Sequence, residues 1–117
     1  DLSNDVILAG SIPQPLDLIE HSDLFILPSS FEGFGLVIVE ALSVGTTVVS
    51  TNCMSGPAEI LQDGKLGYLG EVNNAESFAD LIIKAFSNQF HQDTLKLRSK
   101  DFTIEKIGPK YIELFKS

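Results

Sequence analysis

Apolar residues fall along this chain in two rhythms. Val6-Ile7-Leu8-Ala9-Gly10, Leu24-Phe25-Ile26-Leu27-Pro28 and Thr47-Val48-Val49-Ser50-Thr51 are short, nearly continuous runs. Continuous rather than alternating apolarity predicts strands buried on both faces, as in a parallel sheet covered by helices. Between these runs the spacing changes. Pro15 to Glu20 opens on proline, a favoured first helical residue, and Leu36 to Val44 is closed by Gly45, a helix stop signal. Gly56 to Leu61 predicts a short helix with Pro57 at its first position, and Asp63-Gly64 turns the chain towards a small strand around Gly67 to Val72. Phe78, Leu81, Ile82, Ala85 and Phe86 form the stripe of an amphipathic helix. Asp93 to Lys100 predicts another helix. Ile104, Ile107, Tyr111, Ile112 and Phe115 mark a last one, interrupted or restarted at Gly108-Pro109.

Strands alternating with helices predict an α/β fold with an open, mostly parallel sheet, in which ligands bind outside the carboxyl ends of the strands. Three loops then carry the interest: 10–14, 29–35 and 52–56. With 117 residues, of which 44% are hydrophobic and 21% charged, the chain suffices for one domain and not for two with a cleft between them. It opens on Asp1 and enters an apolar run at once, which suggests part of a longer protein. The net charge of −8 argues against nucleic acid or an anionic membrane surface as a partner. A local anion site on backbone amides stays open. Cys53, the single cysteine, precludes an internal disulfide and fits a reducing, cytoplasmic setting. No apolar run approaches a membrane span, and no targeting segment is visible.

The most informative loop is Glu32-Gly33-Phe34-Gly35, lying between a buried strand and a helix. Its glycines allow close backbone approach to a ligand, and amides around Gly35, Leu36 and Val37 would be donors at the helix start, aided by the helix dipole. A dinucleotide fingerprint needs a third glycine where this chain has Ile38. Glu40 lies in a segment apolar on most sides, so its carboxylate is expected to have a partner, either structural or a pair of ligand hydroxyls.

Glu32 to Glu40 resembles the E-x7-E motif of family 4 retaining glycosyltransferases of the GT-B fold. Asp23 to Ser29, Glu40 to Gly45, Thr47 to Thr51 and Gly56 to Gly64 with Gly67 are similar to the landmarks that surround that motif, and the resemblance covers residues 5 to 90. It implies a Rossmann-like sheet and places residues 1–117 in an incomplete C-terminal, donor-binding domain. By this resemblance the donor is a nucleotide sugar, a UDP-sugar by family inclination. Glu32 holds donor-sugar hydroxyls and orients the sugar for front-face attack. The amides of Gly33, Phe34, Gly35 and Leu36 hold sugar and pyrophosphate, and Glu40 binds the ribose hydroxyls. Residues 50–61 are similar to a pattern of bacterial enzymes that build surface polysaccharide, with Ala58 standing where an arginine is usual. The implied reaction is transfer of a hexose or N-acetylhexosamine to a growing surface glycan. The glycan or lipid-linked acceptor would be held by an N-terminal domain absent from this chain, with the parent enzyme at the inner membrane face and the fragment alone inactive.

The family's strand order leaves the Val6 to Ala9 run beyond two absent strands, so this run is expected to pair directly with Leu24 to Leu27 or to recruit another chain through an exposed edge. Aspartates occur at 1, 5, 17, 23, 63, 80, 93 and 101 without any D-x-D pair, so neither a metal nor another cofactor is expected. His21, His91 and Glu59 read as structural, and Cys53 has no cysteine or histidine neighbour to activate it. The alternative function is a stand-alone α/β ligand-binding or assembly module without transferase activity.

Overall fold

The computed structural model describes residues 2–30, 35–53 and 56–102. Its elements run α1 (Pro15–Glu20), β1 (Leu24–Leu27), α2 (Leu36–Ser43), β2 (Thr47–Thr51), α3 (Pro57–Ile60), β3 (Tyr68–Gly70), α4 (Ala75–Ser87) and α5 (Gln92–Ser99), then a 3-10 turn at Lys100–Phe102. The sheet is three-stranded in the order β1-β2-β3, and both pairings are parallel. Leu24 faces Thr47 and Leu27 faces Ser50, while Val49 faces Tyr68 and Thr51 faces Gly70. The predicted α/β class and parallel sheet are therefore present, with α1, α2 and α5 within a residue of the predicted spans and α4 containing the predicted stripe.

Strand β2 explains why Val48 and Val49 stand side by side. It is central, all five of its residues are buried, and side chains leave a strand alternately to each face. Val48 enters a core with Ile38, Ala41, Leu42, Ile60, Leu61 and Leu95, beneath α2 and α5. Val49 enters a second core with Phe78 and Ala85, beneath α4. Gly70 lets α4 come this close, because a Cβ there would lie 2.9 Å from the Phe78 ring and 3.0 Å from Leu81. The polar residues of this centre are all paired. Thr46 Oγ1 donates to the Ile19 carbonyl at 2.8 Å, and Thr47 Oγ1 accepts from the Phe90 amide at 2.9 Å. Among the described residues no buried side-chain polar atom lacks a partner.

The expected strand at Val6 to Ala9 does not form. Residues 6–10 are irregular, with Ile7 87% and Leu8 94% exposed. No direct pairing with β1 exists, because β1 is hydrogen-bonded to β2 alone among the described strands. The run has no second face to bury, so its β-branched composition has nothing to act on. The helix expected from Ile104 to Phe115 lies outside the described residues.

Candidate functional site

Parallel strands bring the carboxyl ends of β1, β2 and β3 to one edge of the sheet, and the loops at 28–35, 52–56 and 71–74 leave from that edge. The first of these is tied down at its start. Thr51, buried at the end of β2, donates its hydroxyl to the Ser29 carbonyl and lies 3.5 Å from the Leu27 carbonyl. A side chain of the central strand thus fixes where the chain leaves β1.

The loop ends at Gly35, which is buried and left-handed at φ 84° and ψ 40°. An L-residue pays roughly 1–2 kcal/mol for that conformation. Gly35 is the N-cap of α2, and it offers no side-chain oxygen to the helix; the first turn of α2 contains no acidic residue either. The amide end of α2 and its partial positive charge are therefore not compensated by its own side chains.

Of the residues expected to bind a donor, Gly35, Leu36 and Glu40 are described, and they share this junction. Leu36 is 50% exposed at the first position of the helix. Glu40 departs from its expected setting. It is exposed, and its carboxylate makes no hydrogen bond or ion pair among the described residues. Val37 and Val39 pack on the core while position 40 turns to solvent, so no buried partner is required. Glu32, Gly33 and Phe34 lie outside the described residues.

The second loop passes through Asn52, whose amide donates to the Gly70 carbonyl at 2.7 Å, and buried Cys53 to Gly56 and α3. Here the structure supplies a residue that spacing alone did not single out. Arg98 on α5 donates from Nε to the Ile60 carbonyl at 3.0 Å and from an Nη to the Glu59 carbonyl at 2.8 Å. Its other Nη pairs with Asp101 at 2.9 Å, and its guanidinium stacks over Phe102. Glu59 braces this turn through its main chain, not its exposed carboxylate. The available signal was a lone arginine on a helix of an acidic chain, which does not say what it will hold.

The histidines are structural as expected. His21 Nδ1 contacts the Asp17 carbonyl at 2.8 Å, and His91 caps α5 by accepting from the Asp93 amide at 3.3 Å. Among the described residues no group of three His, Cys, Asp or Glu side chains could hold a metal ion. No helix there is long and apolar enough to cross a membrane.

The parallel sheet with its flanking helices defines an α/β domain, a class in which ligands bind outside the carboxyl ends of the strands. Residues 1–102 match the family "Glycosyl transferases group 1", and the chain belongs to that family. It is 32% identical, over 85% of its length, to 2-deoxystreptamine N-acetyl-D-glucosaminyltransferase of Niallia circulans, covering 26% of that protein. It is 30% identical, over its whole length, to poly(ribitol-phosphate) alpha-N-acetylglucosaminyltransferase of Staphylococcus aureus, covering 25% of it. The crystal structure of an S. aureus TarM variant with fondaparinux, alpha-GlcNAc-glycerol and UDP superposes with a TM-score of 0.75 and 28% identity. That superposition covers 99% of this chain and 24% of TarM. This neighbour has the GT-B fold, of which the present α/β unit corresponds to a part. The chain spans about a quarter of the length of these curated relatives.

Proposed function

We propose that this chain is the donor-binding part of a retaining, family 4 glycosyltransferase that transfers a hexose or N-acetylhexosamine from a UDP-sugar to a bacterial surface glycan in the cytoplasm. The observation that carries the reading is the β1–α2 junction, where a helix start without a side-chain cap follows a left-handed glycine at the carboxyl end of the sheet. Amides of residues 33–36 would then hold the diphosphate, because oriented N–H groups and the helix dipole favour an anion without any basic side chain. Glu40 accepts the ribose hydroxyls. Its exposed carboxylate has no partner among the described residues to give up, so this contact costs no broken ion pair. Glu32, eight positions earlier, holds the donor-sugar hydroxyls and orients the anomeric carbon. The proposed carboxylate contacts are charge-assisted and worth about 1.5–3 kcal/mol each. UDP in the TarM structure and the sugar transferred by the S. aureus relative support the donor class.

Calorimetric titration of the full-length protein with UDP and UDP-N-acetylglucosamine tests these roles. Glu40→Ala should weaken both ligands by about tenfold or more, whereas Glu32→Ala should weaken the sugar nucleotide and leave UDP unchanged. Equal affinities in the parent and both variants would remove the donor site from this junction.

A further inference from the structure

A depression opens on the same sheet edge, between the β1–α2 and β3–α4 junctions. It has a volume of about 260 Å³ and lies between Pro28 and Thr51, at the start of the first loop and its tether, and the first two turns of α4. Its floor is apolar. Phe78, 7% exposed, and half-buried Ile82 lie one helical turn apart on α4. The space exists because Ala75 and Ala79, at the neighbouring positions, are too small to fill it. The rim is polar and carries Glu71, Asn73 and Asn74. Asn74 Nδ2 donates to Glu71 Oε2 at 3.0 Å, which fixes the carboxylate with its other oxygen unused by that bond.

We propose that this cavity is a subsite for one neutral sugar residue. Three properties select that class. The volume lies just under the common range of small-molecule pockets, about 300–1,000 Å³, and so suits a single ring. An apolar floor under a rim of carboxylate and amide groups matches a pyranose, whose C–H face is apolar and whose edge presents hydroxyls that donate and accept. Among the described residues no lysine or arginine lines the cavity and Glu71 places a negative charge at its mouth, which disfavours a phosphate or nucleotide and not a neutral polyol. The cavity opens on the edge from which the donor loop leaves. That places the bound ring on the acceptor glycan, an assignment that rests on the transferase reading above; the sugar subsite itself does not.

Saturation-transfer difference NMR on the full-length protein tests it, with methyl α-D-glucopyranoside and methyl N-acetyl-α-D-glucosaminide as probes and saturating UDP present. Transfer to the ring C–H protons of at least one probe is expected. Ala79→Leu, which fills the cavity from an exposed helix position, and Glu71→Gln, which removes the rim charge, should each weaken probe binding about tenfold. UDP affinity measured by calorimetry should be unchanged in both variants, and a cooperative thermal unfolding transition reports that they are folded. No transfer to either probe, or transfer undiminished in a folded Ala79→Leu protein, overturns the proposal. A protein that binds a probe through this cavity and fails to bind UDP would retain the sugar subsite and refute the donor reading, so the two failures are distinct.

Discussion

Two strand-to-helix junctions on the same sheet edge treat their helix starts in opposite ways. At the β3–α4 junction, Asn74 caps the helix by accepting from the Ser77 amide at 3.1 Å, its amide group holds Glu71, and Glu76 adds an acid to the first turn. At the β1–α2 junction a glycine stands at the cap, no side chain caps the helix among the described residues and the first turn contains no acid. Each helix start carries roughly half a positive charge. In α4 that charge is compensated by the chain's own side chains, and in α2 no side-chain cap offsets it among the described residues. The difference is the basis on which we propose an anionic donor at the first junction and a neutral ring in the cavity beside the second.

The largest test of this contrast acts on the tether of the first loop. Thr51→Val keeps the shape of a buried side chain and removes the hydroxyl that reaches the Ser29 carbonyl. Withdrawing this donor from the half-buried Ser29 carbonyl costs about 1–3 kcal/mol, so the denaturation midpoint should fall. UDP affinity should fall with it, and Thr51→Ser should restore both. A stability loss with unchanged UDP affinity would separate the tether from the binding loop. Next in size is Gly35→Ala. Holding alanine in the left-handed region costs roughly 1–2 kcal/mol, and relief of that strain would turn the first amides of α2 away from the ligand. UDP titration should show weaker binding than the change in stability alone predicts. Binding that is preserved in a destabilised Gly35→Ala protein would place the anion elsewhere.

How much of this was legible in the sequence depends on whether a residue's role is local. Pro15 and Pro57 start helices, and the glycine at 45 and the stripe from Phe78 to Ala85 mark their ends and faces, because those signals act within one element. The short run of β2, with adjacent Val48 and Val49, predicted a strand buried on both faces, and both of its faces are covered. The same kind of run at Val6 to Ala9 forms no strand within this chain, because apolarity makes a strand only where a neighbouring edge and a covering helix exist. Glu40 was expected to need a partner on the assumption of an apolar surround. The helix instead buries Ile38, Ala41 and Leu42 and leaves position 40 in water. Thr51 and Arg98 could not be found by pattern, because their partners lie 22 and 38 or 39 residues away and are main-chain carbonyls without a sequence signature.

The smallest effect, and the sharpest for the comparison, comes from the compensated junction. Asn74→Ala removes the cap of α4 and the hydrogen bond to Glu71 together. Loss of an asparagine N-cap costs about 0.5–2 kcal/mol, and Asn74 is exposed, so water replaces part of what is lost and the result should lie near the lower end. Chemical denaturation should report that loss, and calorimetry should report an unchanged UDP affinity, since α4 contributes its helix start to its own side chains and not to the donor. In the Thr51→Val, Asn74→Ala double variant the UDP affinity should equal that of Thr51→Val alone. A decrease in UDP affinity from Asn74→Ala by itself would mean that the two junctions form one site, and the division of the sheet edge into an anion end and a sugar end would have to be abandoned.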